Sequence, residues 1–289
     1  MEKVILFGAS ELGKKAFNEL NGKYDIKYFC DNDNKKVGTN ICGVEIISPN
    51  EMKNLNFQYK VIISSSYYNE IAKQLNRLNI LNYDYYLYST PMLNVIKYIQ
   101  ERNMNIGSFE VLEVFGGKGE YHTLDYCNKI KSLDVWEFNE QLEDDLRKNL
   151  PKANVKITDS FKEISSINKK YDMIVIDNSP GVYGGHCEHF DLLPQVYNVI
   201  KDEAILILDV VPKRTKESDG YKSVQCFNKE HNIFRKIFYN TSNPEKISME
   251  YIKKVYEKIS ELNNYFVEWS FSVKRTFIHY LVLKVKRIL

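Results

Sequence analysis

One order of elements occurs twice in this chain and constrains its fold more than any other feature. An apolar run is followed by a glycine turn, a helix-like stretch, and a second apolar run that closes on an acid. In the first half, Lys3-Val4-Ile5-Leu6-Phe7-Gly8 leads into Ala9-Ser10-Glu11-Leu12-Gly13, and Ile26-Lys27-Tyr28-Phe29-Cys30 ends in Asp31. In the second half, Phe109–Phe115 leads into Gly116-Gly117-Lys118-Gly119, a helix starts near Glu120, and Leu133–Phe138 carries Glu137 near its end. Uninterrupted β-branched and apolar runs read as strands buried on both faces, the pattern of a parallel sheet. Strands alternating with helices supply the crossovers that parallel pairing requires.

Each half continues in the same manner. Gly43–Ile47 and Lys60–Ser66 read as further strands of the first unit. Ser48-Pro49-Asn50-Glu51 reads as a capped helix start, and Ile71, Leu75 and Leu78 mark an amphipathic helix. In the second unit a helix over 92–104 leads in, and strands follow at Asn154–Thr158, Tyr171–Asp177 and Glu203–Asp209. A helix over Tyr251–Leu262 precedes two runs, Phe266–Val273 and Ile278–Val285, separated by a short turn. The 289 residues, at roughly 150 per domain, allow about two domains. The expected division is 1–90 and 91–289.

Composition narrows the function classes. Lys plus Arg total 40 and Asp plus Glu 38, a formal charge of +2. That balance lacks the strong positive field of a nucleic-acid surface, so no nucleic-acid partner is expected. No stretch reaches the ~20 apolar residues of a membrane helix, and the short run at the N-terminus is no signal-peptide core. The five cysteines lie scattered without CxxC spacing, which speaks against a metal cluster or a disulfide framework and for a cytoplasmic location with reduced thiols. Neither a membrane nor a metal is expected, and a homo-oligomer is left open.

The residue types at the turns suggest what is bound. In the first half, backbone amides around Gly8, Ser10 and Gly13 can hold a phosphate, and Asp31, 23 positions after Gly8, can accept ribose hydroxyls. Ser10 stands where the middle glycine of GxGxxG belongs. Together with Lys36-Val37-Gly38, Gly43-Val44 and Ser48-Pro49, this segment resembles the N-terminal Rossmann-like domain of bacterial sugar acetyltransferases. That resemblance implies a nucleotide or nucleotide-sugar ligand over residues 1–90.

The second half is similar to the class I S-adenosylmethionine-dependent methyltransferases. The resemblance rests on the glycine turn, on acids at four successive strand ends, and on the terminal hairpin. It implies a seven-stranded sheet ending in an antiparallel hairpin, with S-adenosylmethionine as cofactor. It also implies that Glu113, Gly116, Gly117 and Gly119 hold the methionine part, Glu137 the ribose, and Asp159 with Ser160 the adenine. Asp177 would face the transferred methyl. Phe115 takes the place of the first glycine of the usual GxGxG.

The expected fold is therefore α/β, with two Rossmann-like parallel-sheet domains. The expected activity is methyl transfer to a small polar acceptor, a sugar-nucleotide among the candidates. His186 and His189, in the loop after Asp177, are candidate general bases. Lys213 and Arg214, opening an insertion over 212–243, are candidate contacts for an anionic acceptor. Asp177 and Asp209 end adjacent strands as in magnesium-dependent methyltransferases, but Val210 stands where those enzymes continue the motif, so no metal is expected. Two readings compete: a non-catalytic binding protein with a donor pocket altered by Phe115, and an NAD-dependent oxidoreductase built on the first domain. The second lacks a Tyr-x-x-x-Lys set.

Overall fold

The apolar runs become the inner strands of two sheets. A computed structural model describes residues 1–55, 58–65, 67–86, 90–120, 122–179, 187–220 and 226–288. The chain divides into two units, Met1–Ser89 and Thr90–Leu289.

The first unit contains β1 (Lys3–Phe7), α1 (Glu11–Leu20), β2 (Asp25–Cys30), β3 (Asn40–Ile41), β4 (Val44–Ile47), α2 (Pro49–Asn54), β5 (Lys60–Ile63), α3 (Tyr68–Arg77) and β6 (Tyr83–Tyr85). Its sheet order is β3-β4-β2-β1-β5-β6, parallel except for the β3–β4 pair. Central β1 shows why an uninterrupted apolar run is needed. Val4 and Leu6 pack on one face with Ala16, Phe29 and Ile62, while Ile5 and Phe7 pack on the other with Met52, Ile71 and Leu75. Helix α2 starts where the Ser-Pro-x-Glu signal lies: Ser48 Oγ accepts the Glu51 N–H at 3.2 Å, and the Glu51 carboxylate accepts the Ser48 N–H at 2.7 Å. Strand β6 was not expected, because three residues with two of them exposed leave no periodic trace.

The second unit contains α4 (Pro91–Gln100), β7 (Glu110–Val114), α5 (His122–Tyr126), β8 (Ser132–Glu137), α6 (Glu143–Asn149), β9 (Asn154–Ile157), α7 (Ser160–Ser166), β10 (Tyr171–Ile176), α8 (Glu188–Val196), β11 (Ile200–Val210), α9 (Lys216–Asp219), α10 (Lys229–Phe238), α11 (Met249–Leu262), β12 (Tyr265–Lys274) and β13 (His279–Arg287). The sheet order is β12-β13-β11-β10-β7-β8-β9. Strand β13 runs antiparallel to both β11 and β12, and the other pairings are parallel. The expected α/β class, with the second sheet closing in an antiparallel hairpin, is the observed architecture.

Side-chain alternation divides the core of this sheet into two layers. Leu112, Val114, Ile174, Ile176, Leu206 and Leu208 face α8 and α11. Val111, Val135, Met173, Val175, Ile205 and Ile207 face α4, through Met92, Val95, Ile96 and Ile99. Burying each such side chain contributes about 1.5–3 kcal/mol, which is what holds the strand ends in register. Among the described residues no helix is long and apolar enough to cross a membrane.

Candidate cofactor site

In the second unit β8 and β9 lie on one side of β7, and β10 and β11 on the other. Connections that leave in opposite directions open a crevice at the carboxyl ends of the central strands, the usual ligand position in such sheets. Glu113 is the last residue but one of β7 and Glu137 ends β8, while Asp159 and Asp177 lie just beyond β9 and β10.

The three glycines expected to serve the cofactor do different work. A Cβ on Gly116 would lie 2.2 Å from Val135 Cγ1, and one on Gly119 would lie 2.7 Å from Leu146 and Leu150. These two let the turn pack on its own unit. Gly117, at φ +56°, has no atom within 4 Å of the position a Cβ would take, so its missing side chain leaves space above the turn. Phe115 adopts φ +62°, a left-handed conformation that costs an ordinary residue roughly 1–2 kcal/mol. Its half-buried ring packs against the cluster containing Leu112 and Val114.

Below that turn, the Glu137 carboxylate accepts the Gly117 N–H at 2.7 Å on one oxygen and the Asn139 N–H at 2.8 Å on the other. A carboxylate offers about four lone-pair sites, so two hydrogen bonds leave capacity for hydroxyl donors. Phe138, the next residue, is 74% exposed. Asp159 caps α7, accepting the Phe161 N–H at 3.0 Å, with Ser160 buried as the first helical residue.

Between β7, β10 and β11 lies a buried charged cluster. Glu113 accepts hydrogen bonds from Thr123 Oγ1, at 2.9 Å, and from the Tyr126 hydroxyl. His122 Nε2 is 3.1 Å from Glu113, and Nδ1 makes a 2.5 Å ion-pair contact with Asp177. Arg275, in the turn between β12 and β13, donates to Asp177 at 2.9 and 3.2 Å and to Asp209 at 3.2 Å. Burial alone depresses the His122 pKa, but the neighbouring Asp177 and Glu113 outweigh it and lift it to about 10. Burial likewise favours the neutral form of Asp177, yet its hydrogen bond with Asp209 and the His122 and Arg275 cations hold it well below the usual carboxylate range.

Sequence reasoning missed His122 and Arg275. The first had a signal: His122, Thr123 and Tyr126 share one face of α5, three residues beyond Gly119, and all three reach Glu113. Arg275 had none, since it lies 98 residues from Asp177.

Other expected site residues are placed elsewhere. His189 is not positioned as a base: it is fully buried in α8, its Nε2 is 2.8 Å from the Tyr256 hydroxyl, and desolvation lowers its pKa to about 3. His186 lies outside the described residues. Arg214 is engaged by Asp219 at 2.7 Å and Glu245 at 3.4 Å, so it does not present an uncompensated charge to an anion, and Lys213 is exposed beside it.

In the first unit the Asp31 carboxylate accepts the Ala9 N–H at 2.8 Å and the Asp33 N–H at 2.9 Å, and Lys36 Nζ lies 3.1 Å away. Ser10 caps α1 without a side-chain hydrogen bond. A Cβ on Gly8 would lie 2.6 Å from the Ser64 carbonyl oxygen, and one on Gly13 would lie 2.0 Å from the Gly8 oxygen. These two glycines allow strand, turn and helix to pack on one another.

Residues 1–85 match the family described as C2185-like, N-terminal, rather than the sugar acetyltransferase domain that the sequence resembles. Comparison with curated proteins gives no match. Among solved structures, the chain is similar to the magnesium protoporphyrin IX methyltransferase of Synechocystis with bound SAH, at 14% identity and TM-score 0.42, covering 68% of this chain and 81% of that one. It is also similar to TYW2 of M. jannaschii in complex with AdoMet, at 14% identity and TM-score 0.41, covering 70% and 78%. By its own strand order and hairpin, the second unit has the seven-stranded sheet of the class I methyltransferase fold.

Proposed function

We propose that this protein is an S-adenosylmethionine-dependent methyltransferase whose donor lies over the carboxyl ends of β7, β8, β9 and β10. One observation carries the reading: the open space above Gly117 lies over a turn whose N–H is held by Glu137, at the crevice of a methyltransferase-type sheet. The residues fit the donor in charge and in shape. The remaining lone pairs of Glu137 suit the ribose hydroxyls, Asp159 the adenine amine, and the exposed Phe138 ring a purine face. Glu113 and Asp177 bound the side where the methionine part and the methyl group would lie.

When bound, S-adenosylmethionine supplies an electrophilic methyl group on a sulfonium. The chain's own work is to orient the acceptor in line with it, and such positioning can account for most of the rate. The acceptor is proposed to be a small polar molecule, in keeping with the net charge of +2.

Calorimetry with S-adenosylmethionine tests the reading. Wild type is expected to bind, while Glu137→Ala and Gly117→Val each weaken binding by at least about tenfold, the loss of one good hydrogen bond or of the turn's clearance. Absence of binding to wild type overturns it.

A further inference from the structure

Asp209 is the last residue but one of β11, one strand over from Asp177, and its side chain has no exposed surface. Its Oδ2 accepts the Ser179 hydroxyl at 2.7 Å and an Arg275 N–H at 3.2 Å. Its Oδ1 is buried and, among the described residues, has no hydrogen-bond donor. A carboxylate oxygen cut off from both water and donors is costly. A carboxylic acid changes the situation, because its hydroxyl is itself a donor. An acceptor shares its site, since one Arg275 nitrogen lies 2.9 and 3.2 Å from the two Asp177 oxygens and 3.2 Å from Asp209.

Two carboxyl groups sharing one buried site do not both ionise. The contacts decide which keeps the proton. Asp177 has His122 at 2.5 Å and Arg275 at 2.9 and 3.2 Å, whereas Asp209 has a hydroxyl and one Arg275 contact at 3.2 Å. The stronger cationic surroundings belong to Asp177, so the proton belongs on Asp209.

We infer that Asp209 is a positioning residue of the candidate site, a neutral carboxylic acid at pH 7 that donates its proton to Asp177 and thereby fixes the orientation of that carboxylate and of Arg275. Burial and the Asp177 charge both push the Asp209 carboxyl well above its usual range, against Arg275 and Ser179. The groups facing the pair are Glu113 from β7, His122 and Tyr126 from α5, Ser179 beyond β10, Arg275 from the hairpin turn and Tyr280 from β13. With Asp209 protonated the pair carries one negative charge, facing the His122 and Arg275 cations. The protonation state stands without any ligand. Its role in methyl transfer rests on the proposed function: Asp177, already engaged by Arg275 and His122, orients an N–H or O–H of the acceptor and does not act as its base.

Infrared spectroscopy of the ligand-free full chain with 13C-labelled aspartate tests the inference directly. At pH 7 wild type is expected to show a protonated-carboxyl carbonyl band that is absent from Asp209→Asn. The native state then holds a proton that the unfolded chain has released. Relative to Asp209→Asn, the folding constant of wild type should therefore fall by about tenfold per pH unit through neutrality. Asp209→Asn, which keeps a neutral donor, should bind S-adenosylmethionine within about twofold of wild type, whereas Asp209→Ala loses about tenfold or more. No protonated-carboxyl band in wild type, or parallel pH dependences in wild type and Asp209→Asn, overturns the assignment. If the band is present but wild type binds no S-adenosylmethionine, the protonation assignment stands and the methyltransferase reading fails.

Discussion

The two units use the same device at the end of their second strands, and its surroundings make it different in each. Asp31 accepts the N–H of a turn residue, Ala9, and of Asp33, two positions on. Glu137 accepts the N–H of a turn residue, Gly117, and of Asn139, two positions on. In the first unit Lys36 lies against the acid, and the glycines are filled in by Ser64 and by the turn's own backbone. In the second unit Gly117 faces open space, and the adjoining strand ends carry Glu113, Asp177 and Asp209 with His122 and Arg275. Among the described residues, Ser64 alone represents the first unit among the buried polar groups, and it is uncharged. A strand–turn–acid order is therefore first a way of closing a turn. It becomes a candidate site where clearance above the turn and buried charge are added.

The largest difference should come from removing the cation in each unit. Arg275→Met leaves Asp177 and Asp209 buried without their shared partner and should destabilise the second unit by about 3–5 kcal/mol. Lys36→Met breaks a partly exposed pair and should cost less than about 1 kcal/mol. Urea unfolding that gave equal costs would break the contrast.

The turns should differ next. Gly8→Ala forces an ordinary residue to φ +126° with its Cβ against the Ser64 carbonyl, and should destabilise by roughly 3 kcal/mol. Gly117→Ala meets no atom and should cost only the left-handed conformation, about 1–2 kcal/mol. Thermal unfolding of the two variants ranks them, and the opposite order would mean that Gly117 is not open.

The charged cluster should also give the second unit a pH dependence of its own. His122 has a raised pKa, so its stabilisation is complete below the unfolded value of about 6.5 and is lost as pH rises through about 10. Between pH 6.5 and 8 the loss from His122 should reach about 2 kcal/mol, added to that from Asp209, so the slope in His122→Asn should be shallower by that amount. A slope unchanged in the variant would assign the His122 share to another group.

The smallest effect sharpens the comparison most closely. Asp31→Asn and Glu137→Gln each turn one accepting oxygen into a donor and should cost about 1 kcal/mol of stability apiece. Calorimetry should then separate them, with S-adenosylmethionine affinity reduced in Glu137→Gln and unchanged in Asp31→Asn.

Much of this was legible in the residues because it is local. Glu113, Glu137, Asp159 and Asp177 could be assigned to strand ends because each follows an apolar run, and chain-local patterns set where a strand stops. The capping box at Ser48 and Glu51 was readable for the same reason. His189 could not be read correctly, because α8 turns it inward onto Tyr256, and only packing settles which way a histidine in a loop-to-helix transition faces. Gly116, Gly117 and Gly119 look alike in sequence, yet two accommodate neighbours and one leaves a space.

By itself the sequence determined the two α/β units, their strand–turn–acid repeats and the terminal hairpin, because apolar periodicity and turn chemistry act over a few residues. Only the tertiary structure decided what the acids do. Sheet pairing set β10 beside β11 and carried the hairpin turn back to them, bringing Asp177, Asp209 and Arg275 together from positions 66 to 98 residues from the arginine. At those separations no local pattern records the contact, and it is the shared burial of unlike charges that sets their protonation.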